Sequence, residues 1–175
     1  MITLLGECAS GKSTIEKELC EKYGYEKIIS YTTRSPRIGE KDGTDYHFIS
    51  NEDFNEMIEN GYMAEHASYS GWQYGIAKKD CKDNRVVVLT PHGLRTLKKI
   101  HSLNIYSFYI NVPRRERLIQ VLKRGDNIEE AVRRNLSDVG MFDGIEDEVD
   151  KVIFNEGYKK TPKDICNEIF DEIRK

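Results

Sequence analysis

The first fourteen residues constrain this fold more than any other stretch of the chain. Residues 1–5 are an apolar run that predicts a buried strand. Residues 6–13 read G-E-C-A-S-G-K-S and fit the pattern G-x-x-x-x-G-K-[ST] at every fixed position. Ile15, Leu19 and Tyr23 then recur at helical spacing, which predicts a helix over residues 13–22. Strand, glycine-rich loop and helix follow in the order of a phosphate-binding loop.

The residue types in this loop suit a polyphosphate. Backbone N–H groups at a helix N-terminus point at an anion, and the helix dipole favours its charge. Gly6 and Gly11 permit backbone conformations and a close approach that side chains would block. Lys12 can reach the terminal phosphates, and the Ser13 hydroxyl can bind Mg²⁺. We therefore predict a nucleoside triphosphate site, with ATP bound by Gly6, Glu7, Cys8, Ala9, Ser10, Gly11, Lys12, Ser13 and Thr14.

Length and composition indicate one globular domain. The chain has 175 residues, of which 38% are hydrophobic and 33% charged. A net charge of −3 argues against a general nucleic-acid or membrane surface, and no apolar run could span a bilayer. The four cysteines form no C-x-x-C pair, and no signal peptide is recognisable, so we expect a cytoplasmic protein without a zinc site. No feature indicates an obligatory protein partner.

Predicted strands alternate with predicted helices, which implies an α/β fold with a parallel sheet and helices on both faces. The predicted strands are residues 1–5, 25–30, 47–49, 62–69, 86–90, 105–112 and 152–155. The predicted helices are residues 13–22, 50–61, 77–82, 91–100, 114–123, 128–139 and 162–174. Residues 31–46 are rich in turn formers and predict a loop. The alternation breaks between residues 32 and 84, which indicates a small inserted lobe of mixed α+β structure.

This inserted segment carries a second group of polar residues. Arg34 and Arg37 lie in the turn-rich stretch, and arginine forks suit bidentate phosphate binding. Tyr46 and Tyr74 add hydroxyl donors or stacking faces, and Glu65 could accept two N–H bonds from one edge of guanine. On residue types alone, the alternative is two solvated arginines, two core tyrosines and a surface glutamate.

The order of these residues resembles a known family. Residues 32–48, T-T-R-S-P-R-I-G-E-K-D-G-T-D-Y-H-F, closely resemble the guanylate kinase family, and the resemblance extends almost end to end. The further matches are Phe54, Met57-Ile58, Glu65, Ser70-Gly71-x-x-Tyr74-Gly75, Arg124-Gly125, Glu129-Glu130 and Asp150-Lys151-Val152-Ile153-x-Asn155.

The resemblance implies particular roles. It implies a core (residues 1–31 and 85–175), a nucleoside-monophosphate lobe (about 32–84) and a helical lid (about 124–142). The GMP phosphate would be held by residues matching Arg34, Arg37, Tyr46 and Tyr74, and guanine would be read at Ser30, Glu65 and the Thr90 position. Arg124 matches a lid arginine that acts on the transferring phosphate. The residue matching Asn155 would lie by the adenine of ATP.

The chain also departs from the family pattern. Glu7, Cys8 and Ala9 replace Pro, Ser and Gly, and the Glu7 carboxylate must point away from the phosphates. The family's two aspartates, one for the Mg²⁺ environment and one for guanine, are here Val88 and Thr90, and a usual Ser is Ile76. The position of the second lid arginine holds Asn135, and we favour its neighbour Arg134 as the substitute.

The resemblance implies phosphoryl transfer from ATP to GMP or dGMP, with Mg²⁺ on Ser13. The catalytic residues would be Lys12, Arg34, Arg37, Arg124 and Arg134, and no general base is needed because the acceptor phosphate is already ionised. Two alternatives remain. The changes at Val88, Thr90 and Ile76 fit a kinase for another nucleoside monophosphate or small phosphate ester. The second alternative is a non-catalytic protein-binding module. The intact phosphate-binding motif argues against it.

Overall fold

The structure is a computed structural model that describes residues 1–37, 39–125 and 127–175. Ile38, in the predicted loop at residues 31–46, and Asp126, between the predicted helices at residues 114–123 and 128–139, lie outside the described residues. The strands are β1 (Ile2–Leu5), β2 (Glu26–Lys27), β3 (Tyr31–Thr32), β4 (His47–Phe48), β5 (Met63–Tyr69), β6 (Trp72–Ala77), β7 (Arg85–Val88), β8 (Tyr106–Asn111) and β9 (Lys151–Phe154). The α-helices are α1 (Lys12–Tyr23), α2 (Asn51–Glu59), α3 (Pro91–Leu97), α4 (Arg114–Arg124), α5 (Ile128–Ser137) and α6 (Pro162–Ile173).

The central sheet has five parallel strands in the order β2-β7-β1-β8-β9. Its middle strand β1 is buried along its whole length, as expected of an apolar strand covered on both faces. Ile2 and Leu4 pack in one core cluster with Ile15 of α1 and Ile169 of α6. Leu5 packs in another cluster with residues that include Leu94 of α3. Helices therefore cover both faces, which confirms the predicted α/β fold.

A second, four-stranded sheet has the order β4-β3-β6-β5. Strands β5 and β6 form an antiparallel hairpin through a turn at Ser70 and Gly71, and β3 pairs with β6 antiparallel and with β4 in parallel. All four strands come from residues 31–77, almost entirely inside the segment for which we predicted an inserted lobe.

Several predicted element boundaries are wrong. The predicted loop at residues 31–46 contains strand β3, and strand β6 was not predicted at all. The predicted strand at residues 25–30 is only two residues long, although the Ile28 N–H continues the pairing by donating to Val86 O. The predicted helix at residues 77–82 is a single 3₁₀ turn, Lys78–Asp80, and α3 ends at Leu97.

Helix caps agree with the sequence. The Ser50 hydroxyl accepts from Asp53 N at the start of α2, as expected of a serine N-cap. Thr161 and Asp164 form a reciprocal capping box at the start of α6. Within the described residues, no helix combines the length and apolar character needed to cross a membrane.

Candidate active site

The phosphate-binding loop joins the end of β1 to the start of α1. Its shape depends on glycine at Gly6, where an added Cβ would lie 2.8 Å from Ile110 O, and at Gly11, whose φ of 95° disfavours other residues. The Lys12 ammonium folds back over the loop and donates to Gly6 O at 2.6 Å and to Glu7 O at 2.9 Å. Burial lowers the pKa of Lys12, while the nearby Asp138 carboxylate opposes that shift. The loop is therefore shaped around its own lysine.

Glu7, the second residue of the loop, turns its carboxylate towards the protein. Its carboxylate accepts a hydrogen bond from the Tyr109 hydroxyl at 2.9 Å and pairs with Arg117 at 3.0 Å. Arg117 is buried and also donates to Cys8 O at 3.2 Å and to Val112 O at 3.0 Å. These bonds attach the loop to β8 and α4. They direct the Glu7 carboxylate to protein partners, which is the orientation expected if it is not to repel phosphate.

Asp138, immediately after α5, is a site residue that the sequence did not reveal. It is buried, its Oδ2 accepts from Cys8 N at 2.6 Å, and its Oδ1 accepts from the Tyr69 hydroxyl at 2.9 Å. A single carboxylate thus links the phosphate-binding loop, the end of α5 and the tip of the β5–β6 hairpin. No motif could have found it, because its partners lie far away in sequence.

A cavity of about 400 Å³ opens above the loop, between the two sheets and α5. It brings together nearly all predicted site residues: Gly6, Cys8, Ala9, Ser10, Gly11, Lys12, Ser13, Thr14, Ser30, Arg34, Arg37, Tyr46, Glu65, Tyr74, Thr90, Arg124 and Arg134. Glu7 and Asn155 are the predicted residues that do not line it. The Asn155 side chain is instead hydrogen-bonded to the backbone of Lys160, where it fastens the loop before α6.

The two arginines that we predicted to bind the GMP phosphate are each paired with a carboxylate. Arg34 forms a bidentate ion pair with Glu40, with hydrogen bonds of 2.7 and 2.9 Å. Its guanidinium lies 5.2 Å from the centre of the Tyr46 ring. Arg37 donates to Glu130 of α5 at 2.9 Å. An incoming phosphate would compete with Glu40 and Glu130 for these guanidinium groups.

Glu65 lies on β5 and is buried, and burial raises the pKa of its carboxyl group to about 7. It lies so close to α3 that a Cβ on Gly93 would come within 2.7 Å of Glu65 Oε2. The Thr90 hydroxyl accepts from Gly93 N at 3.2 Å and caps α3. Ile76 is fully buried.

Helix α5 presents one of its two adjacent arginines to the cavity. Arg134 lines the cavity, whereas Arg133 makes hydrogen bonds with Glu130 and the carbonyl of Ser70. Asn135 is buried and donates to Ala131 O at 2.9 Å. Arg134, the neighbour that we predicted as the second arginine of the site, is thus placed at the cavity, and its role there stays a prediction.

The comparisons with known proteins agree with this geometry. The family model for guanylate kinase matches residues 1–172. The chain belongs to the guanylate kinase family.

Relatives in this family cover nearly the whole chain. The chain is 31% identical to the guanylate kinase of Clostridioides difficile strain 630, over 100% of its own length and 89% of that protein. It is 31% identical to the guanylate kinase of Sus scrofa, with 99% and 93% covered, and 33% identical to that of Helicobacter pylori strain J99, with 95% and 84% covered. The crystal structure of guanylate kinase from Anaplasma phagocytophilum superposes with a TM-score of 0.72 at 24% identity, covering 99% of this chain and 84% of that one, which supports the fold.

Proposed function

We propose that this member of the guanylate kinase family transfers the terminal phosphoryl group of ATP to GMP or dGMP, giving ADP and GDP or dGDP. The observation that carries the proposal is the single cavity in which the phosphate-binding loop meets the predicted acceptor residues. The relatives described above are named guanylate kinases, which supports the same activity. We further propose that residues 32–84 form the acceptor lobe and residues 124–142 the lid.

The donor end of the cavity is the loop from Gly6 to Thr14. Its backbone N–H groups and the α1 N-terminus would bind the ATP phosphates. Lys12 would exchange its bonds to the loop carbonyls for the phosphate oxygens, which restores a full counter-charge to its buried ammonium. Asn155 would act near the adenine indirectly, because its side chain holds the loop before α6 through the backbone of Lys160.

The acceptor side of the cavity would bind both the phosphate and the base of GMP. Arg34, Arg37, Tyr46 and Tyr74 would hold its phosphate in line with the donor, because guanidinium forks match phosphate oxygens. Glu65, with support from Ser30 and Thr90, would accept the N–H groups of guanine. Catalysis then consists of positioning and charge stabilisation, to which Arg124 and Arg134 contribute as the lid closes. Lid closure also excludes water from the donor.

The Mg²⁺ that the family implies fits the donors present. Among the residues that the structure describes, no group of three or more His, Cys, Asp or Glu side chains could hold a metal ion. Mg²⁺ prefers oxygen ligands and commonly keeps several waters while it binds substrate phosphates, and Ser13 supplies a hydroxyl oxygen at the donor end. When bound, the ion would neutralise charge on the donor phosphates.

The cellular setting is part of the same proposal. All four cysteines are free thiols, which suits a reducing compartment such as the cytoplasm. ATP and GMP or dGMP are the proposed partners, with no nucleic acid, membrane or obligatory protein partner.

One observation favours a second candidate, a kinase for a different acceptor. The Thr90 hydroxyl already accepts one hydrogen bond from Gly93 N, which leaves it a single further lone pair for guanine, and the apolar Ile76 side chain offers none. Glu65, Arg34 and Arg37 nevertheless share one cavity, which favours GMP.

The test is release of ADP from ATP and Mg²⁺ in the presence of GMP, measured for the wild type and for Lys12→Ala. We expect acceptor-dependent turnover that Lys12→Ala reduces by at least about 100-fold, because the lysine stabilises charge in the transition state. A folded Lys12→Ala protein with unchanged turnover would contradict the proposed site. A wild type that binds GMP but never releases ADP would instead indicate the non-catalytic binding module.

A further inference from the structure

The cavity-facing side of α1 carries a carboxylate that the phosphate-binding motif does not include. Lys12, Ser13 and Glu16 all line the cavity, and Glu16 follows the other two by four and three residues. Residues at these spacings lie on one face of a helix, with Cβ atoms about 5–6 Å apart. Glu16 therefore projects from the same face of α1 as the Ser13 hydroxyl that is proposed to bind the metal, and both line the cavity.

Glu16 lies in a strongly perturbed environment. It is only 7% exposed, and burial raises the pKa of its carboxyl group to about 7, against the opposing effect of Lys27 and Lys12. Its Oε2 lies 3.8 Å from Lys27 Nζ, which is longer than a hydrogen bond. Lys27 is itself drawn towards the acceptor side, where it donates to Asp45 O at 3.2 Å. The carboxylate is thus buried at an energetic cost that this one long contact offsets incompletely.

Three of the other carboxylates that line the cavity accept hydrogen bonds, and the fourth, Glu65, lies at the proposed guanine end. Both oxygens of Asp138 accept hydrogen bonds, and Glu40 binds Arg34. Asp45 accepts from Lys41 N at 2.8 Å, and Glu65 lies against α3. The end of strand β7, which faces α1, contributes the apolar residues Val88 and Leu89. Glu16 is the carboxylate best placed to meet a cation bound at Ser13.

We propose that Glu16 is a positioning residue for the Mg²⁺ that accompanies the donor triphosphate. Mg²⁺ prefers hard oxygen ligands and is usually accompanied by one or two carboxylates, and a negative charge in a buried site stabilises a divalent cation strongly. The arriving cation would in turn offset the cost of keeping Glu16 ionised. This inference rests on the proposed function.

The test compares two affinities of a non-hydrolysable ATP analogue, measured by calorimetry with Mg²⁺ and with EDTA. The quantity of interest is the ratio of the metal-free dissociation constant to the Mg²⁺-bound one. We expect Glu16→Gln to lower this ratio about tenfold, because removing a negative charge weakens Mg²⁺ binding while it relieves repulsion of the metal-free triphosphate. Glu16→Asp, which keeps the charge, should restore part of the ratio.

Lys27→Met is the matched control. If Glu16 acts only through its contact with Lys27, both variants should lower the ratio equally. Under the proposal, Lys27→Met weakens both affinities together and does not lower the ratio, because it removes a positive charge. A Glu16→Gln ratio within about twofold of the wild type, or an equal fall in Lys27→Met, would overturn the inference. A wild type that fails to bind the analogue at all would contradict the proposed function instead, which keeps the two failures distinct.

Discussion

Replacing Glu65 with glutamine should stabilise the protein and damage its acceptor site at the same time. Burial raises the pKa of this carboxyl group from 4.5 to about 7, so the fold favours its neutral form. At 1.36 kcal/mol per pKa unit, the ionised carboxylate costs the fold about 3 kcal/mol above pH 7. The folded state binds the proton more tightly than the unfolded state does, so stability falls as pH rises between about 4.5 and 7. Glu65→Gln removes this titration.

The assay is urea unfolding of the wild type and Glu65→Gln at pH 4.5 and at pH 8, without nucleotide. We expect nearly equal stability at pH 4.5 and an advantage of up to about 3 kcal/mol for Glu65→Gln at pH 8. Glu56→Gln removes an exposed carboxylate of α2 and should show no such pH-dependent advantage.

The same variant should bind GMP poorly. A buried carboxylate that accepts two N–H bonds loses one acceptor on conversion to an amide, and the amide N–H₂ then faces a donor. At about 1.5–3 kcal/mol for a hydrogen bond to a charged group, GMP affinity should fall about 100-fold while ATP affinity changes little. Equal losses of GMP and ATP affinity, or no gain in stability at pH 8, would refute the reasoning for Glu65.

Three further substitutions probe the supports of the site. Gly93→Ala would place a Cβ 2.7 Å from Glu65 Oε2, so it should weaken GMP binding but not ATP binding. Calorimetry with each nucleotide measures both affinities, and an unchanged GMP affinity in the variant would contradict this contact. Tyr69→Phe removes a hydrogen bond to the buried carboxylate after α5 and should cost about 2 kcal/mol in urea unfolding, whereas Tyr62→Phe, at an exposed tyrosine, should cost nothing measurable. Arg117→Met removes the charged partner of the Glu7 carboxylate and should destabilise the fold by about 3–5 kcal/mol; a loss below about 1 kcal/mol would show that the pair does not hold the loop.

Local patterns were enough to predict the core of the fold. The apolar strand, the glycine-rich loop and the helix at the start of the chain are specified by residues near one another in sequence. The alternation of strands and helices then implied the parallel sheet.

The second sheet was harder to predict because its strands depend on distant partners. Strand β6 contains Gly75, which on its own argues against a strand. In the fold that glycine is needed, since a Cβ there would lie 2.9 Å from Glu65 O and 3.1 Å from Phe54 Cζ. Strand β3 is only two residues long and gains its pairing from β6 and β4.

The predicted site residues came from a motif and a family resemblance, and most of them line one cavity. The residues that were missed act through contacts across the fold: Asp138 reaches Cys8, and Arg117 reaches Glu7. Glu16 was missed for a different reason. It follows the motif by three residues, but only its burial against the cavity distinguishes it from an ordinary exposed helix glutamate.

The most direct test of the proposed function is a comparison of acceptors at fixed ATP and Mg²⁺. ADP release would be followed in parallel with GMP, dGMP, AMP, dTMP and CMP. We expect GMP and dGMP to support turnover at least about 100-fold better than the other three, because Glu65 can accept two N–H bonds only from guanine. Turnover with another acceptor, and none with GMP or dGMP, would contradict it.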